Sequence, residues 1–135
     1  MDRKLEIMVL DDEPIVCERL QDFLEKKGMS VETFTESAAA IDRLKQKIFD
    51  VIVTDIKMQG PTGINVLMEA KNQKIGAEVI LITGYGSFET MHEARAIGAF
   101  DYINKPFKVE DIHKRILKAA NKARKRAKRK GNRPD

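Results

Sequence analysis

Three short apolar runs each lead into residues able to do chemistry. Ile7-Met8-Val9-Leu10 ends at the acidic pair Asp11-Asp12, Val51-Ile52-Val53-Thr54 ends at Asp55, and the run from Phe100 to Ile103 is followed by Lys105-Pro106. If these runs are parallel neighbouring strands, all of these residues reach the carboxyl edge of one sheet, where open α/β folds bind ligands. Unit charges 4 Å apart repel by about 4 kcal/mol at an effective dielectric near 20, so three aspartates gathered there call for a cation. A hard divalent ion such as Mg²⁺ meets that need with oxygen ligands, and Lys105 brings a second positive charge. A carboxylate that attacks phosphorus gives an acyl phosphate, and Asp55 is the candidate nucleophile. The hydroxyl of Thr83, ending another apolar run, could donate to a phosphoryl oxygen, and Gly84 beside it leaves room for the approach.

Every one of these residues also has a plain structural reading. An Asp-Asp pair before proline is often a helix N-cap, Asp55 could be a loop carboxylate, a hydroxyl after a strand is commonplace, and Lys-Pro marks turns. Four such residues, each at the end of its own strand in one compatible topology, make independent coincidence a poor explanation.

The elements that must position them alternate along the chain. Leu5 to Leu10 reads as a strand, and Asp11-Asp12-Glu13-Pro14 opens a helix whose apolar spacing is Ile15, Leu20, Phe23 and Leu24 and whose exit is Gly28. Met29 to Phe34 alternates as an edge strand would, and Glu36 to Lys47 is helical. Val51 to Thr54 is a strand, Gly63 to Gln73 a helix and Glu78 to Thr83 a strand. Ser87 caps a helix running to Ile97, Phe100 to Ile103 is the fifth strand, and Val109 opens the last helix. Five strands alternating with five helices predict an α/β fold, a doubly wound parallel sheet in flavodoxin-like order 2-1-3-4-5.

Length and composition agree. A chain of 135 residues, 42% hydrophobic, suits one domain with a continuous core. With no apolar stretch near twenty residues and no signal-peptide core after Met1-Asp2-Arg3-Lys4, a soluble cytoplasmic protein with no membrane partner is expected. Cys17, the single cysteine, excludes an intrachain disulfide and a cysteine metal cluster and reads as a packed thiol. His92 and His113 lack partners at metal-ligand spacing. The net charge of +4 hides a division: residues 114–135 carry +10 and the preceding body −6.

Across roughly residues 5–120 the sequence resembles the receiver domain of two-component response regulators. The resemblance rests on Val9-Leu10-Asp11-Asp12-Glu13, on Val53-Thr54-Asp55-Ile56-Lys57-Met58 with Gly63, on Ile82-Thr83-Gly84-Tyr85-Gly86, and on Gly98-Ala99-Phe100-Asp101-Tyr102-Ile103-Asn104-Lys105-Pro106-Phe107. It implies phosphotransfer from a sensor histidine kinase, or a phosphotransfer protein, to Asp55. The chain would then catalyse its own phosphotransfer and slow dephosphorylation without being a conventional enzyme. Mg²⁺ would be held by Asp12, Asp55 and the backbone carbonyl of Lys57, with Asp11 acting through water. Thr83 would follow the phosphoryl group inward and Tyr102 would rotate into the vacated space, altering the face built by the fourth helix, fifth strand and fifth helix, through which homodimerisation is also open. A cis Lys105-Pro106 bond is implied too. One departure stands out: the family often has proline four residues after the phosphoacceptor, where this chain has Gln59 before Gly60-Pro61. The segment from Ser87-Phe88-Glu89-Thr90 to Tyr102 looks most like receivers of the nitrogen-regulation class, which activate sigma-54 transcription. Such receivers usually precede an ATPase and a DNA-binding domain, so a stand-alone receiver and a fragment of a longer regulator are both open.

Residues 1–120 are expected to form the receiver and 121–135 a basic helical extension and tail. Val109, Ile112, Ile116, Ala120, Ala123 and Ala127 keep helical spacing, but the apolar face shrinks to alanine after Leu117. A solvated helix end, a docking segment for an acidic partner and contact with nucleic acid remain open for it. The competing functions are a phosphorylation-independent adaptor or nucleic-acid binder acting through that tail, and a small flavin or nucleotide enzyme. The second is disfavoured because acids occupy the loop after the first strand, where a phosphate cradle needs glycines and backbone amides.

Overall fold

The computed structural model describes residues 3–57, 62–73, 76–84 and 88–131, with the backbone alone at 88–90 and 126–131. Met58, Gln59, Gly60, Pro61, Tyr85, Gly86 and the expected cap Ser87 lie outside the described residues.

Strands β1 (Glu6–Leu10), β2 (Ser30–Phe34), β3 (Val51–Asp55), β4 (Glu78–Thr83) and β5 (Asp101–Asn104) alternate with helices α1 (Pro14–Lys26), α2 (Ser37–Leu44), α3 (Gly63–Asn72), α4 (Phe88–Ile97) and α5 (Val109–Gly131). All pairings are parallel, in the order β2-β1-β3-β4-β5. The expected doubly wound sheet is the observed one. Its central strands β3 and β4 are buried along their whole length and apolar except at their ends, because helices cover both faces, as parallel sheets require.

Strand side chains alternate between two separate cores. Val9, Val51, Val53, Ile80 and Ile82 pack with Leu20 and Leu24 of α1 and Ile112 and Ile116 of α5. Met8, Leu10, Ile52, Val79 and Leu81 pack on the other face with Leu44 of α2, Val66 and Leu67 of α3, and Ala94 of α4.

Several boundaries differ from expectation for local reasons. Ile15 is 58% exposed. At 100° per residue it lies about 140° round the helix from Leu20, and Val16 and Cys17 face the core instead. Helix α2 closes at Leu44, and Lys47, expected inside it, ion-pairs with Glu6 and Glu32 at 2.8 Å each. Strand β5 starts one residue later than expected, after the Phe100 N–H has donated to Val79 O at 2.8 Å. Gly28, at φ +86°, is the left-handed exit after α1. Among the described residues no helix is long and apolar enough to cross a membrane.

Arg43 and Lys47 hold the Glu32 carboxylate down at about 2, from an ordinary 4.5: the Arg43 hydrogen bond is the main cause, partial burial opposes it, and Lys47 adds to it. A depressed carboxylate pKa stabilises the fold above the unfolded value, and that stability is lost as pH falls through the folded one. We expect Glu32→Gln to remove on the order of 1 kcal/mol of the acid dependence between pH 4.5 and 2, a size set by the solvent screening of these partly exposed groups. Parallel denaturation series at several acidic pH values read this directly, and identical pH dependence for parent and variant would refute it.

Candidate functional site

Parallel pairing brings the ends of β1, β3 and β4 to one edge. Leu10 is registered with Thr54, Asp55 with Ile82, and Thr83 with Asn104. Asp11, Asp12 and Asp55 therefore converge, each offering one carboxylate oxygen within 4.8 Å of the other two. Asp11 and Asp55 are buried and Asp12 is exposed. The cap reading of the acidic pair does not hold: Glu13 is the N-cap of α1 and makes no side-chain cap bond. Asp11 Oδ1 instead accepts from the Glu13 N–H at 2.9 Å, a local turn that fixes the carboxylate facing the edge.

Lys105 closes the site from β5. Its Nζ lies 2.9 Å from Asp11 Oδ2 and 3.0 Å from Asp55 Oδ2. Its backbone N–H donates to Thr83 O at 2.7 Å, and the Lys105-Pro106 bond is cis. Burial works against the ammonium, but its approach to Asp11 and Asp55 outweighs burial and raises the Lys105 pKa above the ordinary lysine value. Glu13, which carries no assigned role from the sequence, is a third anionic neighbour of Nζ at 3.4 Å. Its only signal in the sequence was its place directly after the acidic pair.

Burial raises the Asp11 pKa, the Asp55 charge adds to this, and the Glu13 N–H and Lys105 offset only part of it. Oδ2 of Asp11 is buried and has no hydrogen bond of acceptable geometry despite its closeness to Lys105. A buried carboxylate oxygen left in that condition, beside two further carboxylates, fits a hard cation with oxygen ligands. The Lys57 N–H donates to Asp55 Oδ1 at 3.3 Å, which turns the Lys57 backbone back toward the cluster.

Thr83 is buried at the end of β4. Tyr102 sits half-buried on the α3/α4 side of the sheet, with its hydroxyl buried and without a hydrogen-bond partner among the described residues. Cys17 is packed below the site, and its Sγ donates to Asp11 O at 3.4 Å. His113 meets the Phe23 ring edge-on at 5.9 Å, away from the acidic cluster. Beside Lys105, a groove of about 300 Å³ is walled by Val16 and Arg19 of α1 and by Phe107 and Val109 at the start of α5.

A doubly wound parallel sheet with an acidic cluster and a bridging lysine at its carboxyl edge defines a receiver-type fold. The chain matches the response regulator receiver domain over residues 7–117, and it belongs to that family. It is 31% identical over 115 residues to the transcriptional regulatory protein ZraR of Escherichia coli K12, covering 85% of this chain and 26% of that one. With the transcriptional regulatory protein FixJ of Bradyrhizobium diazoefficiens it shares 31% over 128 residues, 95% of this chain and 62% of the relative. The chain thus spans about a quarter of the length of ZraR. Among solved structures, the beryllofluoride-activated NtrC4 receiver domain dimer aligns with TM-score 0.81 at 32% identity, covering 87% of this chain and 98% of that one. A CheY-like receiver domain protein from Methanospirillum hungatei aligns with TM-score 0.87 at 25% identity, covering 92% and 99%. The nitrogen-regulation likeness of the sequence is consistent with the NtrC4 match.

Proposed function

We propose that this receiver is a phosphorylation-activated switch that takes a phosphoryl group on Asp55 from a sensor histidine kinase or a phosphotransfer protein. The observation that carries the reading is the placement of the Lys105 ammonium between Asp11 and Asp55, at 2.9 and 3.0 Å. An Asp55 oxygen attacks phosphorus, the P–N bond to the donor imidazole breaks, its electron pair returns to the ring nitrogen, and an acyl phosphate forms. Lys105, already held at Asp55, follows the added negative charge, and the Thr83 hydroxyl donates to a phosphoryl oxygen. Asp11, Asp12, Asp55 and the Lys57 carbonyl would hold Mg²⁺, which when bound neutralises charge on the transferring group. The groove beside Lys105, with apolar Val16, Phe107 and Val109, supports docking of the phosphodonor next to Asp55.

Movement of Thr83 toward the phosphoryl group vacates space that the Tyr102 ring fills. The partnerless Tyr102 hydroxyl supports this, since reorientation costs it no internal hydrogen bond. The affected surface is α4-β5-α5, which also serves for a homodimer; the activated NtrC4 relative is a dimer. Moving the switch from 1:99 to 99:1 takes about 5.5 kcal/mol of differential stabilisation. Residues 1–120 would carry this activity; the basic sequence after residue 120 begins inside α5, where Ala123 is still buried.

Intact-mass spectrometry after incubation with Mg²⁺ and acetyl phosphate tests the reading. A labile adduct of about 80 Da is expected for the parent chain and absent in Asp55→Asn and in chelator. An unmodified parent, given both acetyl phosphate and candidate kinases, or an adduct persisting in Asp55→Asn, would overturn it.

A further inference from the structure

Helix α5 is 23 residues long, about 34 Å. Ile112, Ile116, Ala119, Ala120 and Ala123 bury its apolar face. Its other sides carry Lys114, Lys118, Lys122, Arg124 and Lys125, all exposed. No acidic residue interrupts the chain between Asp111 and Asp135, and the sequence continues with Arg126, Lys128, Arg129, Lys130 and Arg133. Lys114, Lys118, Lys122 and Lys125 follow an i, i+4, i+8, i+11 spacing, which draws one stripe along the helix.

The helix is fastened beyond the expected domain limit. Lys122 Nζ lies 4.0 Å from the fully buried Glu78 and 5.8 Å from the centre of the Phe100 ring. Ala123, the next residue along, is buried as well. The stripe is therefore ordered before any ligand arrives, which lowers the entropic cost of binding.

We infer that the exposed basic stripe of α5 binds the phosphate backbone of duplex nucleic acid. Protein interfaces have aromatic or apolar centres and are depleted in lysine, whereas the only large apolar side chain exposed on this helix among the described residues is Leu117. A membrane surface would need the apolar face that the sheet already covers. Single strands would need stacking aromatics, and none occurs after Phe107. Regularly spaced cations suit the uniform charge of a duplex. The acidic body, at −6, turns only this helix toward such a ligand. The inference is independent of the phosphoacceptor reading.

Fluorescence anisotropy of the full chain with a labelled duplex of arbitrary sequence tests it. For about five neutralised phosphates, log affinity should fall against log salt with a slope of roughly −4 to −5. Lys118→Glu with Lys125→Glu should flatten the slope by about 2 and weaken binding on the order of 100-fold at low salt, while Lys118→Arg with Lys125→Arg retains it. Thermal melts of both double variants check that the fold is kept. Absence of binding at low salt, a slope near zero, or parental affinity in the charge-reversed variant would overturn the inference. So would polyglutamate or anionic vesicles competing as well as duplex, which would assign the stripe to an acidic protein or to a lipid surface.

Discussion

Asp11→Asn is expected to make the metal-free protein more stable while weakening Mg²⁺ binding. At separations up to 4.8 Å, Asp12 and Asp55 each repel an ionised Asp11 by about 3.5 kcal/mol at an effective dielectric of 20. Lys105 at 2.9 Å returns about 6 kcal/mol on the same scale, and burial takes a further toll. The balance is unfavourable to the charge. Asparagine keeps an oxygen for the Glu13 N–H, and Lys105 retains Asp55 and Glu13 as partners. A gain of about 1 kcal/mol, or roughly 3–5 °C in Tm, should appear in chelator near neutral pH. The sign follows from the raised Asp11 pKa: ionisation costs stability as pH rises above the unfolded 3.8, so the gain vanishes below that value. With Mg²⁺ the ranking reverses, because the parent gains binding free energy and the variant has lost a carboxylate, a deficit on the order of tenfold in affinity. Melts in chelator and across a Mg²⁺ titration decide it. A lower Tm for the variant in chelator would mean that the Asp11-Lys105 pair is net stabilising.

Gly63→Ala pits two effects of opposite sign against each other. Gly63 opens α3, and alanine there gains at most about 1 kcal/mol of helix propensity. A Cβ at this position, however, would stand 2.3 Å from Asp55 O and 2.9 Å from Ile56 Cα, both backbone atoms. No rotamer relieves such a contact, so the strand end or the helix must move, at about 3 kcal/mol. The clash wins. A net loss near 2 kcal/mol should lower Tm by roughly 6–10 °C. Because the displaced backbone is that of Asp55, the proposed nucleophile, acyl-phosphate formation should slow as well. Circular dichroism melts together with the rate of adduct appearance check both parts, and an unchanged Tm would show that the chain relaxes without strain.

The fold was legible because its signals are local. The apolar run at Glu78–Thr83 and the Gly28 exit declare themselves within a few residues, and parallel topology follows from alternation. The acidic cluster was legible for the same reason: each member sits at a strand end, and topology alone brings the ends together. What escaped depends on partners distant in sequence. Glu78 reads as a polar strand boundary, yet it is fully buried, with Lys71 of α3 at 3.6 Å and Lys122 of α5 at 4.0 Å. Nothing near Glu78 in the chain announces a cation 44 positions later. The exposure of Ile15 was missed because hydrophobicity says that a side chain can be buried, and only the helix phase set by Cys17, Leu20 and Leu24 says which ones are.

The two separate cores have a further consequence. Strand parity puts position 55 on the same face as Val51 and Val53, toward α1 and α5, and puts position 83 with Val79 and Leu81, toward α3 and α4, where Tyr102 also packs. The groove proposed for the donor lies over α1 and the start of α5. The proposed signal thus enters on the α1 and α5 side of the sheet, while Thr83 and Tyr102 lie on the α3 and α4 side, joined to it around the carboxyl edge. A donor seated over α1 leaves α4 uncovered, while the start of α5 is ground shared by the groove and the output face.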